Sequence, residues 1–137
     1  MTNWAGAEAN GVAKRFSTIV GNAFEVDLGA GYDIVLIPNF LHHFNVVDCV
    51  KFLKKVHGAL KPGGYLAISE FVPNPDRISP PGAAGFSLIM LATTPEGDAY
   101  TIDEYSQMLA QSGFDAPALH PLPASINKAL VCRRLER

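Results

Sequence analysis

Cysteine is scarce: the 137-residue chain has two, Cys49 and Cys132. They fall in separate predicted elements, with no CxxC pair and no Cys/His cluster, so neither zinc nor any other metal is expected. Two reduced thiols fit a cytosolic setting, and the expected location is cytoplasmic. No apolar run approaches the length of a membrane span, so no membrane partner is expected. Met1 to Gly21 has neither the charged start nor the apolar centre of a signal peptide. Basic runs are missing too, and the formal net charge is −2. Nucleic acid is therefore not an implied partner. Internal repeats and low-complexity segments are absent. What remains is an ordinary apolar fraction and a length that suits one domain with an adequate core, expected over residues 1–137.

The informative stretch is Tyr32 to Glu70, which reads as strand, loop, helix, turn, strand. Tyr32 to Ile37 is a short apolar run rich in branched residues, too short for a helix. Pro38 and Asn39 stop it. Phe40-Leu41-His42-His43-Phe44 is a ring-rich loop with two imidazoles. Asn45 is placed to cap a helix, with Asp48 three residues on. Val46, Val50, Leu53, Val56 and Leu60 recur at helical spacing, with Lys51, Lys54 and Lys55 outside. Lys61-Pro62-Gly63-Gly64 ends that helix, and Tyr65 to Ser69 is a second strand. Strand, covering helix and strand predict a right-handed βαβ unit with parallel strands, hence an α/β fold.

That topology says where chemistry can sit. Ligands of open α/β sheets bind outside the carboxyl ends of the strands. His42 follows one such end and Glu70 follows the other. Neighbouring strands lie about 4.8 Å apart. A base and a carboxylate able to orient it thus reach one crevice. The competing reading is a histidine packed on a helix start and a glutamate at a strand end. That blander reading is preferred for His43, and the functional one for His42 with Glu70.

Elsewhere the signals are plainer. Thr2 to Val12 reads as the end of a helix, stopped at Gly11. Phe16 to Val20 alternates and reads as a strand, followed by Gly21-Asn22-Ala23-Phe24 at what would be another carboxyl-edge loop. Val26-Asp27-Leu28-Gly29-Ala30-Gly31 looks like the start of a nucleotide-binding loop. Such a loop must open a helix, and the Tyr32 strand leaves no room for one, so we read a surface connection. Phe71 to Gly82 is a proline-rich loop. Ala83 to Ala92 is apolar nearly all round and reads as a short buried helix, with Met90 as core filler. Thr93 to Asp98 is a turn-rich, lid-like loop. Thr101 and Glu104 form a capping box for a helix that ends at Ser112-Gly113. Phe114 to Leu119 and Lys128 to Arg134 read as an antiparallel strand pair.

In this order the segments Tyr32-Asp33-Ile34-Val35-Leu36, Phe40-Leu41-His42-His43-Phe44, Leu60-Lys61-Pro62-Gly63-Gly64 and Ile68-Ser69-Glu70 resemble class I S-adenosylmethionine-dependent methyltransferases. Thr93-Thr94-Pro95-Glu96-Gly97, Tyr100-Thr101 and Ser112-Gly113-Phe114 narrow the likeness to O-methyltransferases of plant phenolics and bacterial natural products. The resemblance covers essentially the whole chain. It implies a partial Rossmann-like sheet in which the Tyr32, Tyr65, Lys128 and Phe114 strands are contiguous. It implies S-adenosylmethionine as cofactor and a small-molecule acceptor. It gives His42 the role of general base and Glu70 that of its orienting carboxylate. It gives Gly21, Asn22, Ala23 and Phe24 the adenine contact, and Asn39 a cofactor contact as well. The usual aspartate is Asn22 here, whose carbonyl would still accept from the adenine amino group. Aromatic faces such as Phe40 or Phe44 would favour a sulfonium.

The departures shape the remaining expectations. The family's first two strands, its Gly-x-Gly cofactor loop and its N-terminal dimerisation domain have no counterpart in these residues. A second catalytic carboxylate would fall near Ala99, with Glu96 and Asp98 close but out of register. The chain therefore reads as the C-terminal portion of a catalytic domain. It is either a methyltransferase or a non-catalytic fragment acting through association; a doubly wound domain with an unrelated small ligand is the third possibility. Tyr32 to Ile37 would be left as a sheet edge. A homodimer, or association with a complementary methyltransferase half, is expected.

Overall fold

The computed structural model describes residues 4–136. Helix α1 (Trp4–Ala9) is followed by a 3₁₀ turn (Ala13–Arg15) and a long connection to strand β1 (Tyr32–Pro38). A second 3₁₀ turn (Leu41–His43) leads to α2 (Val46–Ala59), which runs directly into β2 (Leu60–Glu70). Helices α3 (Pro81–Thr93) and α4 (Ile102–Gln111) and strands β3 (Ala118–Pro121) and β4 (Lys128–Arg133) complete the chain. The four strands form one sheet in the order β1-β2-β4-β3. β1 and β2 are parallel, as the βαβ reading requires. β4 is antiparallel to both β2 and β3. This is the contiguous order expected from the sequence.

Local chemistry accounts for the elements around the crevice. Asn45 caps α2, its side-chain oxygen accepting from the Asp48 amide at 2.8 Å. The α2 stripe Cys49, Phe52, Leu53 and Val56 is buried against Leu66, Ile68 and Leu130, all fully enclosed in the core. Thr101 and Glu104 form the full capping box at the start of α4, whose Tyr105, Met108 and Leu109 join the same core. Side chains alternate across a strand. Since Leu66 and Ile68 face the helices, Glu70 must do so as well, and it is 0% exposed.

Four expectations need correction. Phe16 to Val20 is not a strand but an irregular connection. None of the described strands runs beside it as a ladder, and Ile19 and Val20 are exposed. Leu60 belongs to β2 rather than to the preceding helix. Tyr32 pairs with Leu60 and Ile34 with Tyr65, so Lys61 to Gly64 bulges out of the strand instead of preceding it. Gly63 takes φ +70° in that bulge, and a Cβ on Gly64 would lie 2.9 Å from the Lys61 carbonyl oxygen. Helix α3 is not buried: only Ala83 and Met90 are enclosed, while Leu88 is 69% and Leu91 77% exposed. A helix apolar on every side needs cover on every side, and the described residues cover one. Finally, Phe114 makes only an isolated bridge with Arg134. Pro117 interrupts the ladder, and the paired strand begins at Ala118.

Both thiols are buried and free. No helix among the described residues is long and apolar enough to cross a membrane, and none of their His, Cys, Asp and Glu side chains form a group of three or more placed to hold a metal ion.

Candidate active site

The crevice at the carboxyl ends of β1 and β2 is built around the Glu70 carboxylate. Its Oε1 accepts hydrogen bonds from the Phe40 and Leu41 amides, each at 2.9 Å, and from the His42 amide at 3.4 Å. Those amides open the Leu41–His43 turn, where backbone donors lack partners of their own. The other oxygen, Oε2, lies 2.6 Å from His42 Nδ1. One buried carboxylate thus shapes the turn and fixes the imidazole it carries. A carboxylate beside Nδ1 selects the tautomer with its proton there. Nε2 is left as the acceptor, and among the described residues the ring's hydrogen bond is the one through Nδ1. The site is compact and dry on its inner side. Burial and then the Glu70 charge push the Cys49 thiol up to about 12, with Asp48 adding to the effect. Burial, reinforced by Glu70, also pushes Tyr105 well above the usual phenol range.

Aromatic rings hold the imidazole from the open side. Phe86 of α3 meets it edge-on at 4.8 Å, and Phe71, the residue after Glu70, lies at 6.1 Å. Phe71 and Phe86 stack at 3.7 Å with their planes 13° apart. The exposed His43 ring lies 4.2 Å from His42. The loop before α4 closes on the same turn. Asp98 donates its amide to the His42 carbonyl at 3.0 Å. A Cβ on Gly97 would overlap that carbonyl oxygen and come within 3.2 Å of the His43 carbonyl carbon. Only glycine lets this loop dock. Gly97, Phe71 and Phe86 were not singled out from the sequence. Gly97 stood within a recognised motif, and its need for space is a tertiary fact. The two rings read as loop and core.

The second carboxylate is not at hand. Ala99 is fully buried at the position where it would fall. Glu96 is held by the Asn45 amide at 2.5 Å, and Asp98 by Arg77 at 3.1 Å. Arg77 also binds Glu104 at 2.6 Å, tying the loop after Glu70 to the start of α4.

The residues assigned to cofactor binding divide. Phe24 packs on Phe44 at 4.9 Å and on Phe52 at 5.4 Å. Phe40 packs on Phe44 at 4.9 Å and on Phe52 at 4.8 Å. This four-ring cluster, with Lys55 donating to the Ala23 carbonyl at 3.0 Å, seats the 21–26 turn beside the His42 turn. Gly21 takes φ +144°, and a side chain there would collide with Val26. Asn22 closes the turn: its Oδ1 accepts from the Phe24 amide at 3.0 Å. The expected acceptor for an adenine amino group thus already takes one hydrogen bond and keeps a second lone pair. A pocket of about 310 Å³ opens there, lined by Asn22, Phe24, Glu25, Phe44, Asp48 and Lys51. Asn39 sits at the end of β1 with φ +49°, its Oδ1 receiving the Asn127 side-chain amide at 2.7 Å.

A parallel βαβ unit extended by an antiparallel pair, with a polar cluster at its carboxyl edge, is the carboxy-terminal portion of a class I methyltransferase sheet. The O-methyltransferase domain family matches residues 5–115, and the chain belongs to that family of S-adenosylmethionine-dependent enzymes. Over 105 residues it is 34% identical to 3-hydroxy-5-methyl-1-naphthoate 3-O-methyltransferase of Streptomyces sahachiroi, a match covering 77% of this chain and 30% of that enzyme. The crystal structure of an O-methyltransferase candidate from Nostoc punctiforme PCC 73102 superposes with a TM-score of 0.91 at 51% identity, covering 95% of this chain and 40% of that one. Human N-acetylserotonin methyltransferase in complex with SAM gives 0.77 at 25% identity, covering 91% and 37%. The chain spans less than a third of the length of the curated relatives it matches.

Proposed function

We propose that this chain is the base-bearing part of a methyltransferase acting on a hydroxyl group of a small aromatic acceptor, with His42 as general base. The observation that carries the proposal is the enclosed 2.6 Å contact between His42 Nδ1 and Glu70. A phenol has a pKa near 10, so at neutral pH its oxygen becomes a good nucleophile only as its proton leaves. Nε2 of His42 is the free acceptor for that proton, and Glu70 stabilises the imidazolium that results. S-adenosylmethionine, when bound, supplies the methyl group from a positively charged sulfur. Gly21 to Phe24 and Asn39 would hold its adenosine end. The hydroxynaphthoate enzyme among the relatives supports the choice of acceptor class.

His42→Ala should slow methyl transfer by about two to four orders of magnitude, the usual range for a general base, and His43→Ala far less. Equal losses at the two histidines would overturn the assignment. A second reading, in which the chain acts through association, is favoured by the open outer edge of β1 beside exposed Ile34 and Leu36. Its partner would be a complementary methyltransferase half or a second copy. Calorimetric titration with S-adenosylhomocysteine separates the readings: heat of binding by the chain alone supports catalysis, and silence supports association. Sedimentation over a range of concentrations identifies a second copy.

A further inference from the structure

The His42 turn is held along two edges. Glu70 accepts from its amides, and the loop before α4 donates to two of its carbonyls. The Asp98 amide donates to the His42 carbonyl at 3.0 Å. Two residues on, the Tyr100 hydroxyl donates at 2.5 Å to the carbonyl of Phe44, the residue that closes the turn. The Cys49 thiol, 3.7 Å from the same oxygen, is the weaker donor. Tyr100 is 4% exposed, and its ring meets Tyr105 edge-on at 5.8 Å. The loop that brings the hydroxyl in is braced in turn. Thr94 Oγ1 accepts from the Gly97 amide at 2.8 Å, and Arg77 holds the Asp98 carboxylate. Burial above all, then Cys49, Asp98 and Glu104, push the Tyr100 phenol above its ordinary range against a pull from Arg77, so it stays a donor at neutral pH.

We propose that Tyr100 is a positioning residue for His42: its hydroxyl locks the exit of the turn, so that the imidazole stays aligned on Glu70. The inference rests on the reading of His42 as the base. Beyond the His42 carbonyl, the Phe44 carbonyl is where the chain is next held from outside the turn. Released there, the turn is free to twist and to carry the His42 ring off the carboxylate. A contact of 2.6 Å tolerates little of that motion, because a hydrogen bond weakens steeply with misalignment. Of the two contacts made by the loop, the phenol's depends on a single side-chain oxygen. It can be removed without altering the backbone or the shape of the core.

The test is nuclear magnetic resonance of the chain carrying isotope-labelled histidine. The unaltered chain should show His42 protonated at Nδ1, with that proton exchanging slowly with water. Tyr100→Phe should quicken the exchange by about five-fold or more, the weight of one hydrogen bond in a local opening. Tyr105→Phe is the control for a loosened core, since the Tyr105 hydroxyl has no hydrogen-bond partner among the described residues. It should leave the rate within about two-fold. Gly97→Ala pushes the same loop off the turn and should quicken the exchange too; it carries the test if Tyr100→Phe does not fold. Equal acceleration in Tyr100→Phe and Tyr105→Phe would overturn the inference. So would an unmoved rate in Tyr100→Phe or Gly97→Ala, or the other tautomer in the unaltered chain. The exchange rate reports geometry and not turnover. It can fail to move while His42→Ala still slows methyl transfer, and it can move when His42→Ala does not, so the two failures are distinguishable.

Discussion

The His42 turn and the exposed faces of β1 and α3 are opposites. At the turn, backbone donors, carboxylate and imidazole are matched within the chain. Glu70 alone receives four hydrogen bonds. Along β1 and α3 the reverse holds. Ile34 and Leu36 are 60% and 70% exposed, β1 has β2 as its single neighbour among the described strands, and most of α3 faces outward. The geometry of the turn is closed by groups that the described residues themselves supply, whereas the exposed faces of β1 and α3 lack cover among them. Unpaired edges and broad apolar faces of this kind mark interaction surfaces.

The contrast can be broken by substitution. The largest loss of stability should follow Glu70→Ala, which strands three amides and an imidazole in a dry environment. A cost of about 3–5 kcal/mol is expected in denaturant unfolding; a loss below about 1 kcal/mol would mean that the turn stands without its carboxylate. Glu70→Gln should act mainly through His42, so the double variant with His42→Ala should be little slower than His42→Ala alone. Gly97→Ala should come next, at about 1–3 kcal/mol, since the loop must back away from the His42 carbonyl. Amide exchange at Asp98 should quicken in step. Leu36→Lys and Leu88→Ser on the open surface should change stability by no more than about 0.5 kcal/mol. A cost above about 2 kcal/mol at either position would show that those faces are covered in the free chain.

The smallest effect concerns the thiols. Burial pushes Cys132 up to about 12, as it does Cys49, with Asp115 adding to the effect. The thiolate is the reactive form, so at pH 8 a thiol reagent should label neither residue in the folded chain. Both should react promptly in denaturant. Rapid labelling of Cys49 in the native chain would mean that the core beneath the His42 turn opens readily.

Much of the frame around the turn was legible in the sequence because the determinants of its separate elements are short-range. The run of branched residues in Tyr32 to Ile37, the Asn45 cap and the Thr101–Glu104 box each state a local rule, and each element formed where its rule placed it, with ends that shifted by a residue: β1 takes in Pro38, and α2 gives up Leu60. The parallel pairing followed from the strand–helix–strand order. Reading failed where the answer lay in distant packing. Phe16 to Val20 has the alternation of a strand, but pairing needs a neighbour that its own letters do not specify. Ala83 to Ala92 has the composition of a buried helix, but burial needs a second layer.

The alternation of β2 has a further consequence, for insertions and deletions. From Tyr65 to Glu70 every side chain is assigned to a face by counting. One residue gained or lost there would turn Glu70 outward and draw Ser69 in beneath the turn. The same slip would expel Leu66 and Ile68, so the site and the core would fail together. The bulge at Lys61 to Gly64 is a different stretch of the same strand. It already carries residues that β1 does not match, so a length change there need not travel into the ladder. Tolerance to length variation should therefore switch off between Gly64 and Tyr65, a boundary of one peptide bond inside a single strand.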